Sequence, residues 1–187
     1  AFAQCSNLTS ISIPSSVTGI GNFAFTRCTA LAGISLPSSL TSIGANAFEH
    51  DAALVSVSIG ANVSSVGNNA FRFCTALPGV TIPGSVTSIG TDVFGGCSSL
   101  LEILVSASNP NFSSLDGVLF NKTQTILITF PRGRAGAYVI PGSVTTIGAD
   151  AFRDSVAVTS VGIPAGVSGI GFGAFVGCSA LTSIQVD

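Results

Sequence analysis

Apolar positions recur along this chain on one beat. Phe2, Phe25, Phe48, Phe71 and Phe94 are each 23 residues apart, and Phe152 and Phe175 resume that spacing after one interval of 58. Between the phenylalanines a single order of polar and apolar positions repeats. Across 24–44 it reads Ala-Phe-x-x-Cys-x-x-Leu-x-x-Ile-x-Leu-Pro-x-x-Leu-x-x-Ile-Gly. A fixed period of about 20 to 50 residues marks stacked supersecondary units, each burying its apolar face against its neighbours.

Within each coil the pattern predicts two short strands. Ile11 and Ile13 alternate with Ser10 and Ser12, the period-two signature of a half-buried strand. Pro14 ends it, because proline has no amide to give the ladder. Val17 and Ile20 begin a second strand, and Gly21 turns the corner. The same inward pairs recur as Ile34 and Leu36, Val57 and Ile59, and Val80 and Ile82, with corner glycines at Gly44, Gly67 and Gly90. Those glycines are expected to supply positive backbone φ. The Ala-Phe segments suit a short helical turn, with Asn46, Asn69, Asp92 and Asp150 placed as N-caps.

The pattern departs after Val105 and resumes in phase at Ile140, Pro141, Val144, Ile147 and Gly148. Residues 106–142 therefore form an irregular, enlarged repeat within the stack. Two apolar stretches flank the polar residues 121–124, which signals a hairpin.

The repeated residues resemble the BspA-like class of leucine-rich repeat, and the insert, from Asp116-Gly117-Val118-Leu119-Phe120 to Phe130-Pro131, resembles the irregular double-length repeat of that class. Asp51 and Ser155 stand where the pattern has Cys, Gly60 where it has Pro, and Val158 where it has Leu. The resemblance implies a right-handed leucine-rich-repeat solenoid, mainly β, with short parallel strands on two faces and short helical turns. It also implies a surface or secreted protein that adheres to host matrix proteins or to other cells, with no catalytic motif and no cofactor to carry over. Residues 1–187 read as one such domain. The absence of Met and of a capping unit at either end reads as a piece of a longer protein, or as a mature chain with covered ends.

Composition narrows the function classes. Only 7% of residues are charged and 47% are hydrophobic. Ser, Thr, Gly and Pro still break every apolar run before the roughly 18 residues a membrane span needs. A net charge of -2 gives no electrostatic case for nucleic acid.

Residues with chemistry are few. Cys5, Cys28, Cys74, Cys97 and Cys178 share one phase and so form a ladder along the stack rather than a converging metal site. Buried free thiols are one reading; bridges between Cys5 and Cys28 or Cys74 and Cys97 are the other. Asp51 and Ser155 in that phase suggest a position that bonds loop backbone. His50, the sole histidine, falls on the coil edge at the phase of Gln4 and Arg27, without a nucleophile in reach. Outward strand positions are small and hydroxylated, including a column Thr18, Thr41, Ser64, Thr87, Thr145 and Ser168. A water-ordering or O-glycosylated surface is one reading of it, and small β-formers that fit a tight stack is the plainer one.

The insert concentrates the remaining recognition chemistry. Lys122, Arg132 and Arg134 are half of all six cations, Tyr138 is the one tyrosine, and Glu102 and Leu104 break the Ser/Gly rule just before it. These six are the candidate contacts for a protein or glycan partner. Head-to-tail self-association through the strand edges of the terminal coils is the alternative.

Overall fold

A computed structural model describes residues 1–186 and shows a mainly β solenoid in which those residues form strands and turns but no helix. The regular coils contribute, in chain order, β1 (Gly19–Ile20), β2 (Gly33–Ser35), β3 (Ser42–Ile43), β4 (Ser56–Ser58), β5 (Ser65–Val66), β6 (Gly79–Ile82), β7 (Ser88–Ile89) and β8 (Glu102–Val105). The insert adds β9 (Phe112–Leu115), β10 (Val118–Asn121) and β11 (Ile126–Thr129). The stack then continues as β12 (Gly136–Val139), β13 (Thr146–Ile147), β14 (Val158–Ile163), β15 (Gly169–Ile170) and β16 (Ser183–Val186).

Outside the insert every pairing is parallel and displaced by one repeat, as in Gly33↔Ser56, Ser42↔Ser65 and Val161↔Ile184. One face carries β2 with β4, β6 with β8, and β12-β14-β16; the other carries β1-β3-β5-β7. Because the register equals the period, each inward side chain meets its own counterpart one coil on. The phenylalanines show this most plainly. Successive rings from Phe2 through Phe71 lie 5.3 Å apart, with Phe71 to Phe94 at 5.8 Å and all planes within 11° of parallel. Offset stacks of this kind add about 0.5–1.5 kcal/mol each to the burial of the rings.

The Ala-Phe segments are turns rather than helical turns, and the reason is where their amides go. Phe25, Phe48 and Phe71 donate their N–H to Ala47, Ala70 and Val93, one coil away, at 2.7–2.9 Å. A helix would spend those amides within its own segment. Asn46, Asn69, Asp92 and Asp150 are accordingly not N-caps; they occupy left-handed backbone, with φ of 53–56°. Asn and Asp tolerate that conformation better than other side chains. The corner glycines differ from expectation as well. Gly44, Gly67 and Gly90 are absent from the left-handed region. They are small because a Cβ there would meet the preceding coil's backbone at 2.4–2.6 Å.

The insert is antiparallel. β10 pairs with β11 across the expected polar turn at 121–124, and with β9 across a second turn, Asp116-Gly117, not expected from the sequence pattern. Both turn residues have positive φ, 49° and 73°, as a two-residue Asp-Gly hairpin requires. β11 then rejoins the repeat by pairing in parallel with β13, so the stack resumes in phase. Asn109 seals the break on the other side. Only 1% exposed, it donates to the Pro83 and Val86 carbonyls and accepts from the Asn111 and Phe112 amides. Val118, Leu119 and Phe120 of β10 are all fully buried. Leu119 packs into the core of the preceding coils, while Val118 and Phe120 pack into a separate core with Phe130, Phe152 and Val161.

Candidate interaction site

The cysteine column is a backbone-binding device. Cys28, Cys74, Cys97 and Cys178 donate their thiols to the carbonyls of Phe2, Phe48, Phe71 and Phe152, at 3.0–3.2 Å. All five cysteines are free. Burial pushes the thiol of Cys28 up to about 11 and that of Cys97 up to about 12, so both hold the proton they donate. Asp51 serves the same position by accepting the Cys28 amide at 2.8 Å. It is fully buried with its second carboxyl oxygen unpartnered, and desolvation raises its pKa to about 8. Ser155, equally buried, makes no side-chain hydrogen bond. Among the described residues no three His, Cys, Asp or Glu side chains converge on a metal position.

His50 stacks on Phe73 at 4.5 Å and has no hydrogen bond to a hydroxyl or carboxylate among the described residues. The hydroxyl column is also occupied. Thr41, Ser64, Thr87, Thr145 and Ser168 each donate to a backbone carbonyl of the coil before, at 2.9–3.4 Å. Their protons bind the stack together and are not offered to solvent.

The six insert candidates fall into three groups. Arg132 is not at the surface. At 2% exposure it donates to the carbonyls of Phe130, Ala151 and Asp150 at 2.6–3.0 Å, with Asp92 at 3.6 Å. Ala151 also accepts the Phe130 amide and Asp150 the Arg153 amide, so the guanidinium adds a second bond to each and ties the Phe130 carbonyl to them. Burial lowers the Arg132 pKa and Asp92 opposes that shift. Tyr138 is half-buried in the aromatic column, 4.9 Å from Phe130 and 6.1 Å from Phe152, and burial pushes its phenol up to about 12. Arg134 lies over both rings, 5.4 Å from Phe130 and 5.8 Å from Tyr138, and donates to the Asp116 carbonyl.

Lys122, Glu102 and Leu104 are exposed. Lys122 reaches the Ala107 carbonyl at 3.3 Å. Glu102 and Leu104 face outward from β8, whose Ile103 and Val105 point inward. Two further leucines stand out beside them, Leu101 at 56% exposure and Leu115 at 39%. Leu101 extends the edge column of Val55 and Pro78, a signal the repeat alignment contained. Leu115 lies in the single-copy insert, where no repeat could point to its exposure.

The repeat geometry agrees with sequence comparison. The BspA type leucine rich repeat region matches residues 1–127 and 134–187, in six copies. The chain belongs to this family. The unmatched residues, 128–133, include the buried Arg132. No curated protein matches the sequence. Among solved structures, the BspA-type chain is similar to the pneumococcal vaccine antigen PcpA, with 28% identity and a TM-score of 0.85 over 90% of this chain and 42% of that one. It is also similar to a leucine rich cell surface protein of Faecalibacterium prausnitzii, with 30% identity and a TM-score of 0.82 over 99% and 56% of the two chains. A leucine-rich repeat protein of Bacteroides ovatus gives 27%, a TM-score of 0.62, and 100% and 63%. The chain thus spans about two-fifths to three-fifths of the length of these similar proteins. No helix of the described residues is long and apolar enough to cross a membrane.

Proposed function

We propose that this BspA-type domain is a non-enzymatic recognition or adhesion module, carried at a cell surface or secreted, that binds a protein or glycan on host matrix or on another cell. The observation that carries this reading is the contrast on the first face. The regular coils present Ser, Gly and Thr, whereas long side chains gather where the insert begins: Leu101, Glu102, Leu104 and Leu115, with Arg134 and Lys122 beyond. Exposed apolar groups in one place on a rigid scaffold are a feature of recognition surfaces. The similar structures described as a vaccine antigen and as a cell surface protein support the location.

Beads coated with the protein should attach to a cell-derived matrix film. Replacing Lys122, Glu102, Leu104 and Arg134 together by Ala should abolish attachment while the circular dichroism spectrum stays unchanged. Attachment that survives this replacement removes the insert region from recognition. Head-to-tail self-association is the second reading, favoured by exposed Phe172 and Val176. Sedimentation at the monomer mass at every concentration counts against it.

A further inference from the structure

We propose that the shelf on the first face, from β4 to β8, holds a cationic segment of a partner protein with an apolar side chain beside its lysine or arginine. This rests on the recognition reading above and names the chemistry of the partner. The floor is made of small outward residues: Ser58 of β4, and Gly79 and Thr81 of β6. At β8 the register places Glu102 beside Gly79 and Leu104 beside Thr81, so two long side chains rise at the edge of a flat floor. With Leu101 they close one side of an open cleft of about 680 Å³.

Glycine at 79 has a specific consequence. A Cβ there would lie 3.3 Å from the Glu102 Cγ and 3.8 Å from its Oε1. The Glu102 chain therefore lies back over the floor and carries its carboxylate into the cleft. Beyond β8 no further parallel strand follows. The Asp116-Gly117 turn abuts Glu102 instead, and the Gly117 carbonyl accepts the Ile103 amide at 2.8 Å. The turn thus closes the outer edge of β8, and among the described residues Glu102 is the one charged side chain that lines the cleft.

The charges decide the partner. Glu102 takes part in no ion pair among the described residues. Arg134 is near Asp116 but donates to its carbonyl and covers the rings of Phe130 and Tyr138. The floor residues carry no charge. An incoming carboxylate would meet Glu102 with repulsion, whereas a lysine or arginine would find an unpaired acceptor. Leu101 and Leu104 offer apolar surface at once beside that acceptor, so the fitting segment places an apolar side chain next to its cation.

The test is a titration of the isotope-labelled protein with the capped peptide Ser-Leu-Lys-Val-Lys-Leu-Ser and with its counterpart bearing Glu for Lys. The Lys peptide should shift the amide signals of Gly79, Thr81, Glu102 and Leu104, and should bind more tightly than the Glu peptide. Glu102→Gln should weaken it about 3- to 5-fold, less so at high salt. Leu104→Ser, which copies Ser58 of the regular coils and so keeps the fold, should weaken it about 10-fold. Equal binding of the two peptides, shifts that map elsewhere, or no effect of Glu102→Gln overturns the proposal. Attachment of beads to the matrix film separates it from the broader reading. If the double variant Glu102→Gln, Leu104→Ser still attaches while Lys122→Ala, Arg134→Ala does not, recognition by the insert stands and the shelf is not its seat.

Discussion

Coils two to four and the insert solve the same problem differently. Both must satisfy backbone groups inside a stack with few charges. In the regular coils the next copy does it: strand amides, threonine hydroxyls and cysteine thiols all reach carbonyls one repeat away. In the insert β9 and β10 have no parallel copy, and only the later strands β11 and β12 rejoin the repeat. Single side chains take over, Asn109 on one side and the buried guanidinium of Arg132 on the other. Periodicity spreads the work over many small bonds, whereas its interruption places much of it on single side chains such as Asn109, Asn121 and Arg132.

The largest expected effect follows from that difference. Arg132→Ala should destabilise the fold by about 3–5 kcal/mol in denaturant unfolding, because three carbonyls and Asp92 lose a buried partner. Arg72, in the regular stack, also pairs with Asp92, at 2.9 Å, but its side chain is 24% exposed. Its replacement by Ala should cost about 1 kcal/mol. Equal losses for the two arginines would break the comparison.

Asp51 tests the regular coils. Its carboxyl is neutral in the folded state at pH below about 8 and ionised in the unfolded chain above about 4. The folded state thus binds the extra proton across that window. Stability should be greatest below the unfolded pKa, fall as pH rises through the window, and level off above the folded pKa. Asp51→Cys restores the column residue and should remove this slope, gaining on the order of 3 kcal/mol at pH 8. Denaturant midpoints across pH provide the measurement, and a wild-type slope of zero would contradict the buried neutral carboxyl.

Gly67→Ala should cost about 1–3 kcal/mol by thermal melting, since the added carbon would sit 2.5 Å from the Ala45 amide nitrogen. At Gly142, where nothing lies within 4 Å, the same change should be near neutral. The smallest effect belongs to Lys122→Ala, within about 0.5 kcal/mol, because its ammonium is exposed and holds one carbonyl.

These particular residues show where sequence reading succeeds. The positions of Ile34, Val57 and Val80 told their own burial and pairing because each is repeated, and a one-residue slip would turn every one outward. The phenylalanine column, the two strands per coil and the hairpin at 121–124 were legible for the same reason. The Ala-Phe turns were misread because local propensity says nothing of amides spent on the neighbouring coil. The corner glycines were misread because close approach and positive φ ask for the same residue. Arg132 is expected as a partner contact because it lies in the insert with half of the cations, yet it is buried. Its burial depends on three carbonyls that converge on it from the insert and from the coil after it, which only the assembled stack reveals. The Asp116-Gly117 turn carries a local signal in its Asp-Gly pair, shorter than the polar run after it.

β10 has a mechanical consequence. Its side chains feed two hydrophobic cores, so it is the wall between them as well as a member of both. Damage confined to the later half should melt without dragging the earlier half with it until that wall fails. A calorimetric trace would then resolve two peaks, and a pulling experiment on a single molecule would pause at the partition.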